Sequence, residues 1–363
     1  MENWEKVRFD EIIEDCTRFG KKIKTNYYNK KGTYAIIDQG QEYIAGFTDE
    51  TNGVYSDVPA IIFGDHTRVF KYVDFPFFLG ADGVKILKAK QKISYKYIFY
   101  YFLQANFPNT GYARHYKWLK ELEIPLPPLQ TQKHIACVLD KASSIIEKNK
   151  TLLAKYDLLI KSVFVQMFGD PIENPKDWEV KKLGETAEII TGNTPSRKEK
   201  DNYDSYIEWI KTDNITNEIY VTKARENLSE KGEKLGRTVE SGSILMACIA
   251  GSLKSIGRVA LTNRKVAFNQ QINAIVPKSY NNLFLYVLFQ NTQNYAQSTV
   301  NMSLKGILSK GKLEELEYIT PPLSLQNDFA SFVEKVEQSK QKASLSLQKA
   351  QTLYKSLMQQ YFG

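Results

Sequence analysis

The phrase LKELEIPLPPLQTQ fills residues 119–132, and LEELEYITPPLSLQ fills 313–326. Set 119–169 against 313–363 without a gap and 19 of 51 positions agree, among them Pro127, Pro128, Leu129, Gln132, Ala136, Leu153, Phe168 and Gly169. Chance gives about three or four at ordinary residue usage. A shorter echo, WEKVRFDEIIE from Trp4 and WEVKKLGETAE from Trp178, marks where each copy begins. The chain therefore reads as two units, 4–169 and 178–363, alike at their ends and unalignable in between. The offset is 174 at the front and 194 at the back, so the second unit holds about 20 extra residues in its front part. Such a chain must fold as one frame built twice, carrying two different surfaces.

The back of each unit is helical. A proline pair suits a helix start, where its fixed φ and missing N–H do no harm. After Pro128 no proline follows until Pro171. FGDP at 168–171 is a stop, with Gly169 free to take the left-handed cap and Pro171 blocking continuation. The spacing predicts a helix over 130–168, about 57 Å long at ~1.5 Å per residue. Its apolar residues keep a heptad. Ile135, Ala142, Asn149, Tyr156 and Val163 hold one row, and Val138, Ile145, Leu152, Leu159 and Gln166 hold a second. Leu139, Ile146, Leu153, Ile160 and Met167 widen the stripe. The second copy offers Phe329, Val336, Ala343, Ala350 and Leu357, beside Phe332, Val333, Leu347, Leu353 and Tyr354, and is more polar through Ser339, Lys340 and Ser346. Stripes this broad must pack on something, and each helix finds its natural partner in the other. A duplicated unit favours symmetric, hence antiparallel, packing. Asn149 in the seam either fixes register at some cost in stability or is simply solvated.

The fronts, 1–125 and 175–318, read as α+β. TYAIIDQG, PAIIFGD, RVFKYVDFPFFLG and GVKILKA are strands between turn residues, followed by a helix over 94–106. YIEWIKT, GSILMACIAGS, IGRVALT and INAIVP are strands of the second front, and NLFLYVLFQNTQNYA matches the first front's helix in place and character.

Charge bears on what these surfaces meet. Lys and Arg number 49 against 41 Asp and Glu, a net of +8 with pI near 9.0. That balance fits an acidic polymer as partner. In the first front Lys22, Lys24, His66, Arg68, Lys71, Arg114, His115 and Lys117 are the candidate contacts, with Tyr112 beside them. In the second they are Arg197, Lys198, Lys254, Arg258, Gln270, Gln271 and Lys305. Lysines and arginines anchor phosphates, whereas Arg, Asn and Gln also read base edges through paired hydrogen bonds. The plain alternative for each is a solvated loop. The Asn269–Gln271 run equally suits a strand whose amides satisfy buried backbone.

Catalytic signatures are missing. There is no GxxxxGK[ST] phosphate loop, no glycine-rich cofactor loop with an Asn/Asp-Pro-Pro-aromatic motif, and no HxE…PCxxC pattern. Asp65 beside His66, and Asp201, Asp204 and Glu208, could hold Mg²⁺, but neither group recurs in the other unit. Cys16, Cys137 and Cys248 form no disulfide framework and read as buried inert thiols, and the three histidines lack metal-ligand spacing. The first residues, MENWEKVRFDEI, lack a signal-peptide layout, and no apolar run approaches the roughly 20 residues of a membrane span, so a cytoplasmic protein is expected.

The order of a domain, IPLPPLQTQ, a long helix ending FGDP, WExxxLGE, a second domain and TPPLSLQ with a second helix resembles the DNA-specificity subunit of type I restriction–modification systems. GNTPS followed by IEWIKTDNI adds to the resemblance, which covers nearly the whole chain. It implies an α+β fold: two globular target-recognition domains joined by two long helices packed as an antiparallel coiled coil, with a pseudo-two-fold internal repeat. The implied segments are 1–127 and 170–321 for the domains, and 128–169 and 322–363 for the spacer helices. The resemblance implies no catalysis by this chain. Each domain would read half of a split, asymmetric duplex target, and the helices would set half-site spacing and dock methyltransferase subunits. Those subunits would bring S-adenosylmethionine, and restriction/translocase subunits would bring ATP and Mg²⁺. The rival readings are a coiled-coil protein adaptor and a stand-alone nuclease or methylase.

Overall fold

A computed structural model of the 363-residue chain describes residues 4–80, 82–105, 107–108, 113–300 and 306–363. Along the chain come β1 (Lys6–Arg8), α1 (Phe9–Ile12), β2 (Ile13–Asp15), β3 (Tyr34–Ile37), β4 (Gly46–Thr48), β5 (Ala60–Gly64), β6 (Phe70–Val73), β7 (Phe77–Leu79) and β8 (Val84–Ala89). Then follow α2 (Tyr95–Gln104), α3 (Tyr116–Lys120), β9 (Glu123–Pro125) and the long α4 (Leu129–Phe168). The second copy opens with β10 (Val180–Lys182), α5 (Leu183–Thr186), β11 (Ala187–Thr191), β12 (Ile207–Ile210), β13 (Asn227–Leu228), α6 (Glu230–Leu235), β14 (Thr238–Val239) and β15 (Ile244–Ala247). It continues through β16 (Ile249–Ala250), β17 (Val259–Leu261), β18 (Val266–Phe268), β19 (Ile272–Pro277), α7 (Asn282–Asn291), α8 (Gln293–Ser298), β20 (Gly306–Ile307), α9 (Lys310–Glu315), β21 (Glu317–Ile319) and the long α10 (Leu323–Phe362).

Two compact units result. Unit 1 is Met1–Lys150 with Ser344–Gly363, and unit 2 is Thr151–Ala343. The division falls inside the long helices rather than at their ends, because each half of each helix is built into the core of one unit.

The two echoes in the sequence meet in space. In unit 1 the strand after Trp4 pairs antiparallel with the strand before the prolines, Val7 opposite Ile124. In unit 2 Lys181 lies opposite Tyr318 in the same register. The glutamine shared by the two copies then locks the helix start to the domain. Gln132 accepts from Ser94 N at 3.0 Å and donates to Pro127 O at 2.8 Å. Gln326 accepts from Asn281 N at 2.9 Å and donates to Pro321 O at 2.7 Å. Ser94 and Asn281 are the N-caps of α2 and α7, so one buried amide ties both helix starts together in each unit.

The interiors, unalignable as sequence, share one topology. Four antiparallel strands run β2-β8-β5-β6 in unit 1 and β11-β19-β15-β17 in unit 2. Each unit adds a small mixed sheet, β4-β3-β7 and β13-β12-β18-β14, in which β3 pairs parallel with β7 and β12 with β18. The extra residues of unit 2 include α6 and β14, which have no counterpart among the described residues of unit 1. The central strands are apolar throughout because both faces are covered. Ile61 and Phe63 face the helical layer, with Tyr97, Phe102 and Leu139, while Ala60 and Ile62 face the small sheet with Ile37 and Phe77. Ile244 and Met246, against Leu245 and Ala247, repeat the alternation in unit 2.

Within each unit the long helices run antiparallel. In unit 1 the start of α4, at Ile135 and Leu139, shares a core with Met358 near the end of α10. In unit 2 the rings of Phe164 and Phe168 each lie 5.5 Å from that of Phe329. Gly169 ends α4 at φ 80°, where a side chain would be strained.

The seam differs from the expected one in one row. Ile135, Ala142, Asn149, Tyr156 and Val163 are buried or half-buried, as are Phe329, Val336, Ala343, Ala350 and Leu357. Their companions are Leu139, Ile146, Leu153, Ile160 and Met167, all buried or half-buried. The other expected row turns outward: Val138 is only half-buried, while Ile145, Leu152 and Leu159 are 45%, 38% and 42% exposed. A 3.6-residue helix offers the seam one a/d-type pair of rows, and apolar character alone did not tell which of the two flanking rows pairs.

Candidate nucleic-acid interface

In unit 1 five connections converge at one end of the small sheet. Asp65, which follows β5, is the hub. Its carbonyl accepts from His115 N at 2.9 Å and from His115 Nδ1 at 3.0 Å, and its carboxylate accepts from Tyr116 N at 2.7 Å. Asp65 N in turn donates to Gly83 O at 2.7 Å. Gln39 Nε2 donates to Asp82 O at 3.0 Å, and Thr67 and His66 donate to Gln39. Lys22 Nζ lies 2.6 Å from Asp82 Oδ1 and holds that carboxyl below its usual range, with Arg114 adding to the effect. The fold thus brings Lys22, His66, Arg68, Arg114 and His115 together. Arg68 is exposed with φ 62°, a left-handed conformation uncommon for a side-chain-bearing residue.

Two candidates there are internal rather than surface groups. His115 is 1% exposed and its Nδ1 proton is spent on Asp65 O, so it positions the loops instead of meeting a ligand. Lys71 is 4% exposed and donates to Asp38 O at 2.8 Å and Glu42 O at 2.5 Å. Burial pulls its ammonium below the usual lysine range, with the Asp38 carboxylate opposing. Both sit where the chain needed donors for buried carbonyls, which a sequence pattern does not reveal. Lys24 and Lys117 are exposed, Lys117 lying over the Trp118 ring.

Unit 2 builds its counterpart from the connection after β11. Asn193 clasps the segment after α6, accepting from Arg237 N at 2.9 Å and donating to Leu235 O at 2.8 Å. Thr194 donates its hydroxyl to Gln270 Oε1. Arg197 lies over the Tyr203 and Trp209 rings, 5.0 and 5.2 Å from their centroids, and reaches Glu226 at 2.8 Å. Lys211, 5.0 Å from the Trp209 ring centroid, reaches the same carboxylate at 2.7 Å. Lys211 first, then Arg197, holds the Glu226 carboxyl below its usual range. Arg197, Lys198 and Gln270 are exposed here. Gln271 is half-buried and accepts from Asn269 Nδ2 at 3.1 Å, and the Asn-Gln-Gln run forms the turn between β18 and β19 rather than a strand. Sequence reading missed Glu226, Lys211, Tyr203 and Trp209. The aromatic-lysine spacing of IEWIKT was a usable signal, but nothing tied Glu226 to a partner 29 residues away.

Lys254 and Arg258 lie elsewhere. Gln293 donates to the carbonyls of Lys254 and Ile256, fixing that turn to α8. Arg258 lines a cleft of about 310 Å³ with Asp157, Glu337, Lys340 and Gln290, against the long helices. Lys340 there bridges Asp157 at 2.7 Å and Glu337 at 2.9 Å, a polar layer in the seam. Lys305 and Tyr112 lie outside the described residues.

Among the described residues no group of His, Cys, Asp or Glu is arranged to hold a metal ion, and no helix is long and apolar enough to cross a membrane. Cys16 and Cys248 are buried, and burial pushes their thiols up to about 11 and about 12. Cys137, expected to be buried, is exposed on the outer face of α4.

Residues 1–155 and 175–347 match the type I restriction modification DNA specificity domain. The chain is 27% identical over 280 residues to the specificity subunit of a type I restriction enzyme of Escherichia coli, covering 70% of this chain and 66% of that protein. It is 30% identical over 159 residues to the HindI specificity subunit of Haemophilus influenzae, covering 40% of this chain and 32% of that protein. The matched stretches thus span between about a third and two thirds of these curated relatives. The fold matches the crystal structure of a type I restriction–modification S subunit from M. genitalium, at TM-score 0.63 and 17% identity over 98% of this chain and 95% of that one. It also matches a chain from a structure concerned with complex assembly and conformational transition of the type I R-M system, at TM-score 0.56 and 15% identity over 100% and 98% of the two chains.

Proposed function

Because the chain belongs to the type I restriction–modification DNA-specificity family, we propose that it is the non-catalytic, sequence-reading subunit of such a complex. Each unit reads one block of a split, asymmetric duplex target. The observation that carries this is the contrast between frame and surface. The closing strand pairs and the glutamine clasps are the same in both units. The connections that gather the candidate contacts differ in length and in chemistry. A frame repeated with different loops is what recognition of two unlike half-sites requires.

The long helices set the separation of the two blocks and offer the docking surface. Ile145, Leu152 and Leu159 leave an apolar heptad row on α4 facing outward, and Leu345 and Leu353 are exposed on α10. Exposed apolar rows of this kind mark a partner surface. Methyltransferase subunits occupy it, and restriction/translocase subunits complete the assembly. S-adenosylmethionine, ATP and Mg²⁺ act on those subunits rather than on this chain, and the complex works in the cytoplasm.

Binding of the purified chain to duplex DNA at several salt concentrations tests this reading. Phosphate contacts by Z cations give a slope of about −0.9Z in log K against log salt. A steep negative slope is expected. No duplex binding at low salt points to a protein adaptor instead, and cleavage or methylation by the chain alone points to an enzyme.

A further inference from the structure

In both units the same two connections meet through one side-chain pair, and the chemistry of the pair differs. In unit 1 the connection after β2 reaches the connection after β7 through Lys22 and Asp82, 2.6 Å apart. In unit 2 the equivalent connections, after β11 and after β18, meet through Thr194 and Gln270. The equivalence is fixed by topology. β2 and β11 are edge strands pairing β8 and β19, with Ile13 opposite Ala89 and Ala187 opposite Pro277. β7 and β18 are the parallel partners of β3 and β12. One unit thus holds an ion pair where the other holds a hydroxyl–amide pair.

Neither pair is explained by holding the fold. The Lys22 and Asp82 side chains are 47% and 93% exposed, and an exposed ion pair contributes little stability. Thr194 and Gln270 are also exposed. Each pair stands among other exposed polar groups of its unit, with Arg114 acting on Asp82 in one and Arg197 three residues along the chain from Thr194 in the other. In the major groove guanine shows two acceptors and cytosine an amino donor, which an ammonium and a carboxylate complement. Adenine shows an acceptor beside a donor, which a glutamine amide matches in two hydrogen bonds, and thymine shows a methyl group that a threonine methyl meets.

We propose that the two pairs are equivalent base-reading positions, Lys22–Asp82 reading a G·C pair in one block and Thr194–Gln270 reading an A·T pair in the other. This rests on the chain being a DNA-specificity subunit. Selection from a randomised duplex library, by the full chain assembled with the modification subunits of its own system, separates the two ideas. The wild type must return a two-block motif, and failure at that step overturns the DNA-specificity reading itself. With Lys22→Thr and Asp82→Gln, one position of one block turns from G·C to A·T, the original base losing about tenfold in preference. Thr194→Lys with Gln270→Asp makes the reverse change in the other block. An unchanged motif bound more weakly at all sequences overturns the proposal, because the pairs are then phosphate anchors. A change in both blocks from one variant overturns it too. If a double exchange lowers the melting temperature, Asp82→Asn alone carries the same test at a side chain that the fold does not use.

Discussion

Asn149 and Ser346, 197 residues apart, meet across the two long helices of unit 1, the Asn149 amide donating to Ser346 Oγ at 3.2 Å and to Ile145 O at 2.9 Å. Asn149 is half-buried and Ser346 exposed, so the contact lies at the rim of the apolar seam, where a polar pair costs little stability. Changing both residues to leucine is expected to leave stability unchanged or raise it by up to about 1 kcal/mol. A double-mutant cycle with Asn149→Ala and Ser346→Ala should show coupling of about 0.5–1 kcal/mol. Urea unfolding of the four proteins measures it, and additive effects would mean the contact does no work.

The two glutamine clasps should fail alike. Gln132→Ala leaves Ser94 N and Pro127 O without their partner, and Gln326→Ala does the same to Asn281 N and Pro321 O. Gln132 and Gln326 are 4% and 0% exposed, so each loss is expected to cost about 2–4 kcal/mol. Calorimetric melting checks the size and the equality of the two effects.

Truncation tells the inner row from the outer. Leu139→Ala and Ile160→Ala, at side chains 0% and 8% exposed, should each cost about 2–5 kcal/mol. Ile145→Ala and Leu152→Ala should cost less than about 1 kcal/mol, yet weaken capture of the modification subunits in a pull-down. The reverse ranking would restore the row expected from sequence.

Acid should act on unit 2 through Glu208. Arg264 grips its two carboxylate oxygens at 2.8 and 2.7 Å and, burial opposing, holds the carboxyl below its usual range. A group whose folded pKa is depressed adds stability above its unfolded value of about 4.3 and loses it as pH falls through the folded value. Glu208→Gln should therefore cost about 1–2 kcal/mol at pH 7, with the gap to wild type closing as the pH drops below about 4. Chemical unfolding at pH 7, 5 and 3.5 follows it.

The repeat made the frame legible. Identities at the prolines and at Gln132 and Gln326 are the residues that start and clasp the helices, and Gly169 ends α4. The antiparallel packing followed from duplication alone. Two things stayed hidden. The shared topology of the interiors left no sequence trace, because buried strands accept any apolar residue of about the right size. Which cations face solvent was also illegible: Lys71 and Arg68 are three residues apart, one buried on carbonyls and the other exposed on a loop. Partners distant in sequence decide that, as Glu226 does for Arg197.

The split-target reading meets its most direct test in the motif methylated in cells carrying the complete system, read by sequencing modified bases across the genome. A heptad inserted into both α4 and α10 adds about 10.5 Å of helix, or about three base pairs at ~3.4 Å each. Two unchanged base blocks separated by a gap about three pairs longer is the expected result. A gap of the original length, or a single continuous motif in the wild type, contradicts it.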